Sequence, residues 1–111
     1  VHVVGQIASI RYALTDGATV AVDWNNGNVQ SVTLGGNRTF TFANPVDGAR
    51  YVLIIKQDGT GSRTATWPAT VRWPGGSAPT LTTTAAKTDY IAFIYNGVDS
   101  KYDAVAISQN Y

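Results

Sequence analysis

The sequence contains no cysteine, no methionine, no glutamate and a single histidine, His2. Without cysteine there is no disulfide and no thiolate metal site. One histidine and seven carboxylates, all Asp, do not assemble a transition-metal ligand set, and no metal or other cofactor is expected. A Ser–His–Asp arrangement would have to use His2, a residue at the very start of the chain. Charge is scarce too: 14% of residues are charged, against roughly 25% in an average domain. The net charge is +1, which leaves no electrostatic footprint for nucleic acid or for an anionic membrane surface. No apolar run approaches the roughly 20 residues a bilayer-spanning helix needs. The start of the chain lacks the basic and apolar blocks of a signal peptide. It opens at Val1 rather than Met, which suggests that an initiator or a longer N-terminal part has been removed.

The polar surface is left to Thr, Ser, Asn, Gln and Gly, a mixture that favours strands and turns over helices. Residues 1–10 are apolar and β-branched and read as a first strand or as an arm laid on a neighbour, with Val1, Val3, Val4 and Ile7 as its contact residues. Tyr12–Gly17 reads as a loop. Thr19–Trp24 predicts a strand with Val20, Val22 and Trp24 on one face, followed by an Asn25–Asn28 turn. Val29–Leu34 and Arg38–Phe42, separated by Gly35-Gly36-Asn37, read as a hairpin with one apolar and one threonine-lined face. Arg50–Gln57 is apolar on both faces and predicts a central strand covered on both sides. Asp58–Gly61 would return it into an antiparallel partner over Arg63–Trp67.

Trp67-Pro68 and Trp73-Pro74-Gly75-Gly76 bracket a segment whose prolines cannot donate to a sheet ladder, so it is expected as an edge or a crossing, with a very short strand at Val71–Trp73. Ser77–Ala86 reads as extended chain, an edge strand at most, with Leu81 its one large apolar side chain. Thr88–Tyr95 and Lys101–Ser108 flank the turn residues Asn96–Ser100 and predict a second hairpin. Strands at regular spacing with no amphipathic helix point to a single all-β domain, a sandwich or a barrel.

Little chemistry is written into this pattern. Asp58-Gly59-Thr60-Gly61-Ser62 lacks the lysine and the following helix of a phosphate loop. Asp58, Asp99 and Asp103 lack the acidic spacing of a calcium loop and read as turn formers. No two carboxylates sit in an apolar context suited to glycoside hydrolysis, so an enzyme is not expected. The aromatic residues Trp24, Trp67, Trp73, Tyr95 and Tyr102 are expected as core or subunit-interface anchors. Arg63 and Arg72 lie near enough in sequence to stack on the tryptophans.

The run from Trp24 through Gly27-Asn28-Val29-Gln30-Ser31-Val32-Thr33-Leu34 and Arg38–Phe42, the Tyr51–Asp58 strand, Thr66-Trp67-Pro68, Val71–Gly76, Ala78–Thr82 and the closing Phe93–Gly97 hairpin resemble a β-rich module of tailed-bacteriophage virion proteins. Such modules occur as head-decoration or head-fibre proteins and as the C-terminal part of tail fibres. The resemblance spans roughly residues 18–111, which divides the chain into an arm or first strand at 1–17 and a domain at 18–111. It implies a jelly-roll-like antiparallel β-sandwich, a homotrimer, and a place on the particle surface after assembly in the host cytoplasm. Its partners would be copies of itself and other virion proteins such as the major capsid protein. The short chain without a shaft favours a capsid decoration or head-fibre role. The alternative is a tail-fibre tip or receptor module contacting a host-surface glycan.

Overall fold

The computed structural model describes residues 9–111. The expected arm contacts Val1, Val3, Val4 and Ile7 lie outside them. Among the described residues there are nine strands and no α-helix. The strands are β1 (Tyr12–Ala13), β2 (Thr19–Asp23), β3 (Val29–Leu34), β4 (Arg38–Ala43), β5 (Arg50–Gln57), β6 (Ala65–Thr66), β7 (Val71–Arg72), β8 (Thr88–Asn96) and β9 (Lys101–Ser108). They form a six-stranded sheet in the order β1-β3-β5-β8-β9-β7 and a three-stranded sheet in the order β2-β4-β6. The all-β, single-domain expectation holds.

The route of the chain differs from the antiparallel jelly-roll expectation. From β1 to β7 successive strands alternate between the two sheets. Each therefore meets its sheet neighbour only after a full circuit, and it runs parallel to it: β1 with β3, β3 with β5, β2 with β4, and β4 with β6. The result is a flattened coil of strands. Only β5, β8 and β9 pair antiparallel, and the β8–β9 hairpin is inserted between β5 and β7.

Two expected pairings are thereby replaced. β3 and β4 are not a hairpin, because the Gly35-Gly36-Asn37 corner carries the chain across from one sheet to the other. A Cβ on Gly35 would lie 2.9 Å from the Asp16 carboxylate, and one on Gly36 2.6 Å from the Arg38 guanidinium. The double glycine therefore makes room for an ion pair rather than for a hairpin turn. Likewise Ala65–Thr66 pairs parallel with β4 and not with β5. Tyr12–Ala13, expected in a loop, is a short strand on β3. Ser77–Ala86 contains no strand, although Leu81 is buried.

The sheets pack face to face around Val20, Val22, Phe40, Leu34, Leu53, Ile55, Ile91 and Phe93. The period-two alternation of each strand selects these side chains. Two fully buried glutamines hold the corners. Gln57 Nε2 donates to the Arg63 carbonyl at 2.9 Å, and its Oε1 accepts from the Arg63 N–H at 3.0 Å. Gln30 Nε2 donates to the carbonyls of Asp23 and Gly27. The Gln57 amide is satisfied through both its atoms, whereas Gln30 is paired through Nε2 and its buried Oε1 has no partner among the described residues. A buried amide paired to backbone fixes where a strand ends, since leaving the partner unpaired is costly. β5 is covered on one face only: Tyr51, Leu53, Ile55 and Gln57 point inward, while Val52 and Ile54 stay half-buried on an outer face that no described element covers.

Candidate functional site

The aromatic residues singled out by sequence form one continuous cluster. Trp24 is 4% exposed, stacks on Tyr51 at 4.4 Å and meets Phe42 edge-on at 5.5 Å. Trp67 stacks on Phe40 at 4.9 Å and meets Trp73, which in turn contacts Phe93. Trp67 and Trp73 are half-buried against the core. Tyr95 packs edge-on against the buried Tyr102 at 4.8 Å. The Trp67–Ala86 segment thus adds its rings and Leu81 to the core, and it is tied to the hairpin strand β8 by the Thr82 N–H on Asp89. Burial pushes the Tyr102 phenol up to about 12, helped by the neighbouring Tyr95 and Tyr51 hydroxyls.

All seven carboxylates are engaged within the chain. Asp16 takes a two-point bond from Arg38 and the N–H of Gly35, and the Arg38 bond is the main cause of its lowered pKa. Asp23 caps the turn at Trp24–Asn26 and accepts from Asn44. Asp47 accepts from Gly97 N–H. Asp58 is lowered to about 2, first by Arg63 and then by the N–H groups of Gly61 and Thr60. It is the turn former that its sequence context suggests. Buried Asp89 accepts from Thr82, Gln109 and Asn110; burial alone would raise its pKa, and these bonds lower it. Asp99 and Asp103 share Arg72. Arg63 and Arg72, expected over the tryptophans, are instead committed to these ion pairs. No group of three metal-ligating side chains occurs among the described residues.

Two outer faces remain. On the small sheet, Thr19, Ala21, Thr39, Thr41, Ala43 and Thr66 are exposed and uncharged, with Thr19, Thr39 and Thr66 in one register row. On the large sheet, the outward row Val29–Val52–Ala92–Ala106 runs across four strands. A β-bulge between Ala104 and Ala106 leaves Val105 unpaired and 52% exposed.

Next to that row lies a groove of about 540 Å³, bordered on one side by residues 11–16 and floored by β3, β5 and β8. Its polar lining includes Arg11, Thr33, Lys56 and Thr88, and its aromatic is Tyr90, 40% exposed and met edge-on by Tyr111 at 5.4 Å. Sequence reasoning passed over these residues. Arg11, Lys56 and Tyr90 come together because β1 pairs parallel with β3, β3 parallel with β5, and β5 antiparallel with β8. The one local signal was Lys56, a cation closing the otherwise apolar run Tyr51–Ile55.

Residues 14–100 match a family described as "Putative phage tail fibre C-terminal domain". No curated protein and no solved structure matches the chain.

Proposed function

Because the chain belongs to the phage tail fibre C-terminal domain family, and is therefore a structural module of a phage virion, we propose that it forms the end of a tail fibre and meets the surface of the host cell. The match over residues 14–100 carries this reading. It favours the tail-fibre alternative over the head-decoration role that chain length alone suggests. In this reading the module works without catalysis, which the use of Asp16, Asp58, Asp89 and Asp103 as structural anchors supports.

The module assembles with copies of itself, as a homotrimer. The face supporting this is the flat outer side of the small sheet. Apart from Asp23 at the end of β2, its side chains are small and uncharged and let backbones approach closely, and the edge strand β2 carries no protecting cation or proline. Self-contact there turns the outer face of the large sheet, with its groove, toward the surroundings.

Light scattering and adsorption assays test the reading. The expected outcome is a species about three times the 11.8 kDa chain mass, broken to monomers by Thr41→Arg, and a purified protein that slows phage adsorption when added to host cells. A monomer that neither binds cells nor slows adsorption would defeat it, and selective binding to phage heads would restore the decoration role.

A further inference from the structure

We propose that the groove between residues 11–16 and strands β3, β5 and β8 is a binding site for an acidic oligosaccharide, one carrying carboxylate or phosphate groups; this deepens the tail-fibre reading and rests on it. The volume, about 540 Å³, falls within the roughly 300–1,000 Å³ of ordinary ligand clefts. Three features of the lining select the ligand class.

The first is charge. Arg38 bonds Asp16 on the groove wall, and the other six carboxylates are bonded elsewhere. Arg11 and Lys56, which also line the groove, have no ion-pair partner among the described residues, and residues 1–8 contain no acid. The groove therefore carries two uncompensated cations in a molecule whose net charge is +1. An anion is the ligand group that relieves them.

The second is the hydroxyl floor. Ser31 and Thr33 of β3 and Thr88 of β8 line the groove from the two strands that flank β5. Hydroxyls both donate and accept, which suits a ligand whose own groups are mostly hydroxyls. The third is Tyr90, the groove's only widely exposed large apolar side chain. Tyr111 braces its ring and is itself fixed by two backbone hydrogen bonds to Thr88 at 3.0 Å and by the Ser108 hydroxyl at 2.6 Å. A ring held in place offers a stacking surface at little entropic cost.

The test uses the whole chain on an array of immobilised bacterial oligosaccharides, with uronate-bearing, phosphate-bearing and neutral members. Binding should be confined to the acidic members, and which of the two acidic sets responds identifies the anion. Lys56→Gln and Arg11→Gln should each weaken it by about threefold to tenfold, and Tyr90→Ala by at least as much. Raising salt should weaken it further. Lys87→Gln, a cation outside the groove, should leave it unchanged. Equal binding of neutral members, binding that survives the groove substitutions, or no binding to any member overturns the inference. Host-cell binding separates the two levels. If wild type and Lys56→Gln bind cells equally, the groove fails and the tail-fibre reading stands. If acidic glycans bind but cells do not, the groove stands and the tail-fibre reading fails.

Discussion

The coil of β1–β7 and the hairpin β8–β9 contribute to the same large sheet but are held in different ways. In the hairpin, each residue meets its partner across the short Asn96–Ser100 turn, and a continuous antiparallel ladder runs from Asn96–Lys101 to Tyr90–Ser108, broken by one bulge. In the coil, β3 meets β5 only after the chain has crossed to the other sheet and back. Ladder bonds there depend on corners that deliver each strand to the right height. Those corners are built from side chains: Asp16 with Arg38 and Gly35, Asn37 with Thr64, Gln57 with Arg63, and Asp58 with Gly61 and Arg63. Corner chemistry should therefore govern the coil and be nearly irrelevant to the hairpin.

The sharpest way to break this contrast is at Gly61. It has φ +72°, and a Cβ there would sit 2.5 Å from the Thr83 carbonyl oxygen and 2.9 Å from the Ala85 nitrogen. Backbone atoms on both sides leave nowhere to yield. Gly61→Ala should cost about 3 kcal/mol or more, or abolish folding, because strain and overpacking add. Gly48 has nearly the same φ, +76°, but nothing near its Cβ position. Gly48→Ala should cost only about 1 kcal/mol. Urea denaturation of the two variants checks the difference; equal costs would mean that conformation alone, not the packed corner, matters.

Next in size is the buried amide. Gln57→Leu keeps the volume but leaves the N–H and C=O of Arg63 without their partner, and should cost about 2–3 kcal/mol. Hydrogen exchange after this substitution should speed up at Arg63–Thr66 and in β4 before it does in β8 and β9. Uniform acceleration throughout would mean that corner and hairpin unfold as one unit.

The same contrast explains what could be read from the sequence. The hairpin was legible because its partners are neighbours in the chain and Asn96-Gly97 announces the turn. Inward faces were legible as well where apolar and polar residues alternate: Val20, Val22, Leu34 and Phe40 follow from alternation whatever the pairing. The coil was not, because Gly35-Gly36-Asn37 looks alike whether the next strand folds back or crosses over. The deciding contacts, Asp16 on Gly35 and Asn37 on Thr64, span the sequence. The groove was hidden for the same reason, since its cations come from the segment before β2 and from the end of β5.

Acid should loosen both regions, whereas alkali should act on the hairpin. Asp16 and Asp58 have folded pKa values below their unfolded ones, Asp58 at about 2. Their contribution is present above about pH 4 and is lost as pH falls toward 2; Asp89 of β8 and Asp103 of β9 are lowered as well, so acid acts on the coil corners and on the hairpin together. Tyr102 of β9 titrates at about 12, above the value of about 10 for an unfolded tyrosine. The unfolded chain then holds fewer protons than the folded one, and stability should fall by about 1.4 kcal/mol per pH unit between 10 and 12. Thermal melts of wild type and Tyr102→Phe across that window test it. The slope should flatten in the variant, and an unchanged slope would assign the loss to another group.

The smallest effect is expected where the regions join. Arg72 of β7, the last strand of the coil, bonds both oxygens of Asp103 on β9, at 2.6 and 2.9 Å, and reaches Asp99 in the hairpin loop at 3.0 Å. This is the main cause of the lowered Asp103 pKa. The geometry is that of a strong pair, but the Arg72 side chain is 44% exposed, so water competes for both partners. β7 is also held by the Tyr102 N–H on the Thr70 carbonyl at 2.8 Å and by burial of Val71, neither of which needs the charge. Arg72→Gln should therefore shift the urea midpoint least of the substitutions named here, and high salt should shift the wild type by a similar small amount. Arg72→Lys, which keeps the charge without the fork, should fall between the two. A cost near that of Gln57→Leu would mean that the junction is clamped from its surface, and that coil and hairpin are less independent than their separate bonding implies.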